Sequence, residues 1–299
     1  MYDLIIVGGG PAGITAAAMA LNHRLETLII AERWGGQTTY AMQLEDTEGR
    51  EIITGEALLD AFRRKLDYLD FVRRFDTVTK ISPKEDHFVV FTAHEDCFEG
   101  RTLIIATGAK PKRLGVPSEA QLAGHGLSYS AMTHASLFLG KNVAVVGWQR
   151  RALCATADLA CKAHRVYLLA PEPLPDIPLA HKLAQMENVE IVEIAEVKEV
   201  QGDSHVEGIT VALADGELRE LPVKGVFVKL GRVPNSELVR EWGVECNNQG
   251  FISVNVDCAT SWPGVFAAGD VTHVSEQVLV HIGEGAKATD SAYRYLLRC

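Results

Sequence analysis

Apolar residues in this chain come in short unbroken runs, several of them closed by a glycine. Residues 3–7, Asp-Leu-Ile-Ile-Val, form the first, and a run of this kind reads as a strand buried on both faces. Gly8-Gly9-Gly10-Pro11-Ala12-Gly13 follows at once, then an Ala-rich helical segment at 14–22 and a second apolar strand at 25–31 ending at Glu32. Further strand-like runs lie at 102–109, 142–147, 165–170, 189–195, 208–213 and 264–270. Between 75 and 98 the pattern alternates instead, at 77–81 and 87–92 around Pro83-Lys84-Glu85-Asp86, which predicts a small antiparallel meander. Helical spacing marks 55–68 (Ala57, Leu58, Ala61, Phe62, Leu66 and Leu69), 150–162 and a closing helix at 283–298. Residues 110–117 read as a Pro/Gly-bearing connector and 226–235 as a return connector. The strand–glycine–helix unit occurs twice, at residue 8 and near residue 147.

The glycine turn at residue 8 carries specific chemistry. Gly8 permits a tight turn, Gly10 lets a diphosphate approach the backbone, and Gly13 lets the helix pack close to the strand. The helix start then offers N–H groups and partial positive charge to an anion. Glu32 stands where an acid accepts ribose hydroxyls. Together these predict a dinucleotide site in an α/β fold.

Charge narrows the partners. With 29 basic and 39 acidic residues the net charge is −10, which disfavours nucleic acid and anionic membranes. No apolar run approaches the roughly 18 residues that span a bilayer, and no basic stretch precedes the first run, so a cytoplasmic location is expected. The six cysteines, at 97, 154, 161, 246, 258 and 299, have no framework spacing, as in a reducing compartment. Most are expected to be small buried residues. Cys154 and Cys161, two helical turns or ~10 Å apart, are too distant for a disulfide, and Cys299 is a candidate reactive thiol.

Six motifs then coincide: Gly8-Gly-Gly-Pro-Ala-Gly13, Gly35-Gly-Gln37, Ala106-Thr-Gly-Ala109, Gly140-Lys-Asn-Val-Ala-Val-Val-Gly147, Leu230-Gly-Arg-Val-Pro-Asn235 and Pro263-Gly-Val-Phe-Ala-Ala-Gly-Asp270. In this set the whole chain resembles the low-molecular-weight thioredoxin reductases and their flavoprotein relatives. The resemblance implies two nested Rossmann-like dinucleotide-binding domains of the three-layer ββα type. An FAD domain would be built from 1–112 and 245–299, with an NAD(P)H-binding-like domain, 113–244, inserted. It also implies a homodimer. Carried over position by position, it puts the FAD diphosphate on Gly8, Gly10, Pro11, Ala12 and Gly13, and the adenosine ribose on Glu32 with Arg33 beside it. Gly36, Gln37 and Asp46 fall along the flavin side, Asp46 where the family usually has asparagine. Val78 falls against the adenine, and Ala106, Thr107 and Gly108 pass close to the cofactor. Gly269 and Asp270 reach the ribityl chain, and Gln277-Val278 begin a helix aimed at the flavin pyrimidine edge.

Two departures fall at the chemistry. Where the family has Cys-x-x-Cys, this chain has Ser130-Ala-Met-Thr133. Hydroxyls form neither a stable thiolate-like nucleophile near neutral pH nor a reversible bond resembling a disulfide. His134 takes the family's acid position, as either a proton relay or a polar loop residue. In the second nucleotide motif, G-x-G-x-x-A is replaced by Gly147-Trp148-Gln149-Arg150-Arg151-Ala152, and the basic cluster after the next strand by Pro171-Glu-Pro-Leu-Pro175. Gly147, Trp148, Arg150 and Arg151 remain a candidate second nucleotide site, Trp148 either filling the vacated space or stacking on another planar ligand, even a second flavin. The expected function is an FAD-dependent oxidoreductase without the dithiol and without NADPH, its electron donor and acceptor left open, with a carrier such as ferredoxin as a candidate partner. Three rivals stay open: an NAD(P)H-dependent reductase of the ferredoxin–NADP type, a two-flavin electron-transfer protein, and an FAD-bound scaffold or sensor.

Overall fold

The computed structural model describes residues 1–39, 42–44, 57, 59, 60, 62, 64, 66, 72–273 and 277–298. Asp46 and Cys299 lie outside these residues. Of the helix expected at 55–68, Ala57, Leu59, Asp60, Phe62, Arg64 and Leu66 are described, and all six are helical. The chain divides into two compact units, one of Met1–Thr39, Ile53–Lys110 and Val233–Cys299, the other of Tyr40–Ile52 and Pro111–Arg232. Both are α/β.

In the first unit a seven-stranded sheet runs Arg73–Phe75, Thr27–Ala31, Tyr2–Val7, Cys97–Ile105, Phe88–Thr92, Val78–Pro83. The first four of these are parallel, and the last two form the expected meander. Val265–Ala267 joins Cys97–Ile105 in parallel, pairing Val265 with Leu103. Residues 4–7 and 28–30 read as unbroken apolar runs because both faces of their strands are covered. The first helix, Pro11–Asn22, starts three residues earlier than expected, since Pro11 at its first position has φ preset and no N–H to lose. The closing helix, Val278–Leu296, likewise begins before Gly283. Its glycines mark close packing and not a boundary: a Cβ on Gly285 would lie 2.2 Å from the Ala12 carbonyl oxygen.

In the second unit the sheet order is Leu218–Leu221, Gly208–Leu213, Val189–Gln201, Arg165–Ala170, Asn142–Val146, Gly225–Val228, Leu127–Ser128. The last five are parallel. The strand Gly225–Val228, whose last three residues were expected in a connector, is fully buried between two others, which leaves a four-residue apolar run with no alternation to read. The strand expected at 189–195 extends to Gln201 through two register shifts. Residues 233–244 go with the chain ends, because Val239 and Val244 are buried with Ile5, Val90 and Ile252. Of the five described cysteines only Cys258 is buried; Cys97, Cys154 and Cys161 are exposed, contrary to expectation, the last two on the outer side of the helix Arg150–Ala160 and just past its end. No described helix is long and apolar enough to cross a membrane.

Candidate functional site

The carboxyl ends of three parallel strands meet in the first unit, the place where α/β sheets take ligands. Ala106 N–H donates to the Val7 carbonyl at 2.8 Å and Ala268 N–H to the Ile105 carbonyl at 3.1 Å. The glycine turn is built into this junction. A Cβ on Gly8 (φ +115°) would stand 2.2 Å from the Ala106 carbonyl oxygen, and one on Gly13 would stand 1.9 Å from the Gly8 oxygen. Those two glycines are held by packing. At Gly10 an added Cβ meets nothing within 4 Å, and Gly10 caps the helix without any side-chain hydrogen bond. Bare backbone at an uncapped helix start is what a diphosphate needs, so these residues fit the diphosphate of FAD.

The loop after Glu32 closes over the turn. Gly35 N–H donates to the Gly9 carbonyl at 2.8 Å, and Gly36 comes within 3.3 Å of the Gly10 Cα, measured from its added Cβ. Gln37 donates its amide to the Ala109 carbonyl. Glu32 is exposed at the end of its strand and accepts the Thr77 hydroxyl at 3.0 Å; Arg33 beside it is exposed. Val78, expected against an adenine, is buried with Ile5, Val7 and Ile30, because it opens its strand on the inward face.

Asn235, to which the sequence motif assigns no role of its own, fixes the next segment. Its side-chain amide donates to the Thr107 carbonyl at 2.8 Å, its N–H donates to the Gly108 carbonyl at 3.0 Å, and Thr107 Oγ1 donates back to its carbonyl at 2.6 Å. Gly269 and Asp270 follow the strand Val265–Ala267, with Ala12 3.1 Å from an added Gly269 Cβ. Gln277 caps the closing helix and Val278 is its first residue. That helix brings two further groups, His281 and Glu284, to the Gly269–Asp270 turn. Their spacing of three on one helix face was the signal available in the sequence.

The position of the family dithiol lies in the second unit. Ser130 and Thr133 face each other with hydroxyl oxygens 3.0 Å apart. His134 is buried, its Nδ1 2.8 Å from Ser128 Oγ. Burial, with help from the nearby Lys229 charge, pushes its imidazole down to about 4. It is therefore neutral at neutral pH. Lys229 donates to the Tyr129 carbonyl at 2.6 Å, and the Tyr129 hydroxyl donates to Glu119 at 2.7 Å. Glu119, also missed from the sequence, is buried and accepts the N–H groups of Leu114 and Gly115.

In the second nucleotide motif Trp148, Gln149 and Arg150 line a cleft of about 420 Å³ with Pro173, Pro175 and Ile177. Gln149 caps the helix Arg150–Ala160 and carries its side chain where the first unit leaves Gly10 bare. Trp148 is half-buried, Arg150 is exposed, and Arg151 is half-buried and not part of the cleft lining. Gly147 (φ +151°) passes under Lys229, whose carbonyl oxygen lies 2.5 Å from an added Cβ.

Comparison with known proteins agrees with this arrangement. The family model for pyridine nucleotide-disulphide oxidoreductases matches residues 2–285. The NADH dehydrogenase of Bacillus subtilis is 35% identical over 302 residues, 99% of this chain and 59% of that protein. A component of the Escherichia coli alkyl hydroperoxide reductase is 36% identical over 306 residues, 99% of this chain and 58% of that protein. The chain thus spans about three-fifths of the length of these curated relatives. Among solved structures, the thioredoxin reductase of Streptococcus pyogenes superposes with a TM-score of 0.85 at 29% identity, covering 100% of this chain and 99% of that one.

Proposed function

Because the chain belongs to the pyridine nucleotide-disulphide oxidoreductase family, in its thioredoxin-reductase-like branch, we propose that it is an FAD oxidoreductase that works without a dithiol and without NADPH. FAD supplies the electron-accepting and electron-donating chemistry; the residues of the first unit bind and orient it. Gly8, Gly10 and Gly13 shape the diphosphate turn, Glu32 and Arg33 stand at the adenosine end, and Asn235 fixes the Thr107–Gly108 backbone.

One contrast carries the reading: Gly10 is bare at the first helix start, while Gln149 fills the same position at the second. Pro171, Glu172 and Pro173 then stand where a 2′-phosphate needs cations. Charge-assisted hydrogen bonds are each worth about 1.5–3 kcal/mol, so losing two weakens NADPH by roughly two to four powers of ten. Ser130 and Thr133, hydrogen-bonded as hydroxyls, support the loss of dithiol exchange. The donor on this reading is an electron carrier such as ferredoxin, and the assembly a homodimer.

The test is anaerobic reduction of the FAD-loaded protein, followed at the flavin band. Reduced ferredoxin bleaches it, whereas millimolar NADPH leaves it oxidised for minutes and thioredoxin is not reduced. Bleaching by NADPH or NADH within seconds hands the protein to the nicotinamide-dependent rival, and a flavin-to-protein ratio near two hands the Trp148 cleft to a second flavin.

A further inference from the structure

The closing helix grips the Gly269–Asp270 turn with two side chains. Glu284 Oε2 accepts the Gly269 N–H at 2.7 Å, and His281 Nε2 lies 3.5 Å from Asp270 Oδ1. Thr272 secures the turn from its far side, its N–H and its hydroxyl both donating to the Gly269 carbonyl at 2.9 Å. Gly269 has φ +83°, and a Cβ there would stand 3.1 Å from the Ala12 Cβ and 4.0 Å from the His281 Cγ. The imidazole therefore sits where the start of the first helix meets the acidic turn. It is 4% exposed, and a polar ring so buried is placed at a cost that its partners must offset.

We propose that His281 is a positioning residue for the cofactor: it holds the Asp270 carboxylate in the orientation that accepts the hydroxyls of the FAD ribityl chain, while Glu284 fixes the backbone of the turn. The inference rests on the FAD assignment. The charged groups beside the imidazole are Asp270 from the turn and Glu284 from its own helix. Cys258 bonds the Glu284 carbonyl at 3.7 Å, and the first helix presents the uncharged Ala12.

The experiment measures FAD release on dilution of the holoprotein, read as free-flavin fluorescence, at pH 7.5. His281→Ala should weaken FAD retention roughly tenfold at pH 7.5. His281→Gln, which keeps a donor at the Nε2 position but cannot protonate, should stay within about threefold of wild type. If His281→Ala does not fold, His281→Phe, which keeps a ring in the site without a donor, takes its place and should weaken retention as much. Wild-type retention in His281→Ala or His281→Phe would overturn the proposal, as would a His281→Gln that is as weak as the variant without a donor. Wild-type protein that holds no FAD at all would instead bring down the cofactor assignment, and the proposal with it.

Discussion

Acid should loosen the second unit through one side chain. His134 is 8% exposed, and burial holds its imidazole at about 4 against an ordinary 6.5. In the unfolded chain the ring protonates near the ordinary value. Between the two values the unfolded state binds more protons, so stability falls as pH falls; above about 6.5 the ring adds no pH dependence. At pH 4 the displacement amounts to about 3 kcal/mol of lost stability. The assay is urea unfolding from pH 7.5 to pH 4, comparing wild type with His134→Asn, whose amide can keep the contact with Ser128 but does not titrate. Trp148 is the one tryptophan of the second unit, so Phe at Trp34, Trp242 and Trp262 makes fluorescence report that unit alone. On this background the chain with His134 should lose about 3 kcal/mol more than the variant between pH 7 and 4, nearly all of it below pH 6.5. Parallel pH profiles, or an imidazole NMR titration centred near 6.5, would refute the reasoning.

Two further substitutions separate packing from ligand binding. Gly13→Ala drives a methyl to 1.9 Å from the Gly8 oxygen and should destabilise the first unit with or without cofactor, whereas Gly10→Ala meets no protein atom and should abolish FAD retention while the melting temperature of the cofactor-free protein stays near wild type. The reverse pattern would show that Gly10 does not face the diphosphate. At the hydroxyl pair, the double variant Ser130→Cys, Thr133→Cys should form a disulfide in air, since its side-chain oxygens already lie 3.0 Å apart; thiol titration before and after dithiothreitol checks it, and an unchanged thiol count would mean the turn has lost the spacing for a bond.

The sheet cores and the glycine turn at residue 8 were legible because their signals are local. An unbroken apolar run such as 3–7 specifies a strand covered on both faces, and the glycines at 8, 10 and 13 have separate steric tasks that spacing alone reveals. What escaped the sequence depends on partners distant along the chain. The strand Gly225–Val228 is recognised as central only once Asn142–Val146 and Leu127–Ser128 flank it. Asn235 acts on Thr107 across 128 positions, and Glu119 acts through Tyr129 and two backbone N–H groups. Glycine misled at the closing helix, where Gly285 is required by the approach of Ala12 and ends nothing. Cysteine misled at 154 and 161, because a helix gives the same residue type an inner or an outer face.

During synthesis, residues 1–110 leave the ribosome well before the strand Val265–Ala267 and the helix Val278–Leu296 exist. Until then the second half of Cys97–Ile105 has one edge bare, and the first helix lacks the partner whose Thr289 reaches Ala16 across 273 positions. Pro111–Arg232, by contrast, is one continuous stretch holding a sheet of its own. Contacts of long sequence separation close last. The inserted unit is therefore placed to fold first on a nascent chain, and the turn at Gly269 and Asp270, with the helix that grips it, takes shape only after that unit has been made.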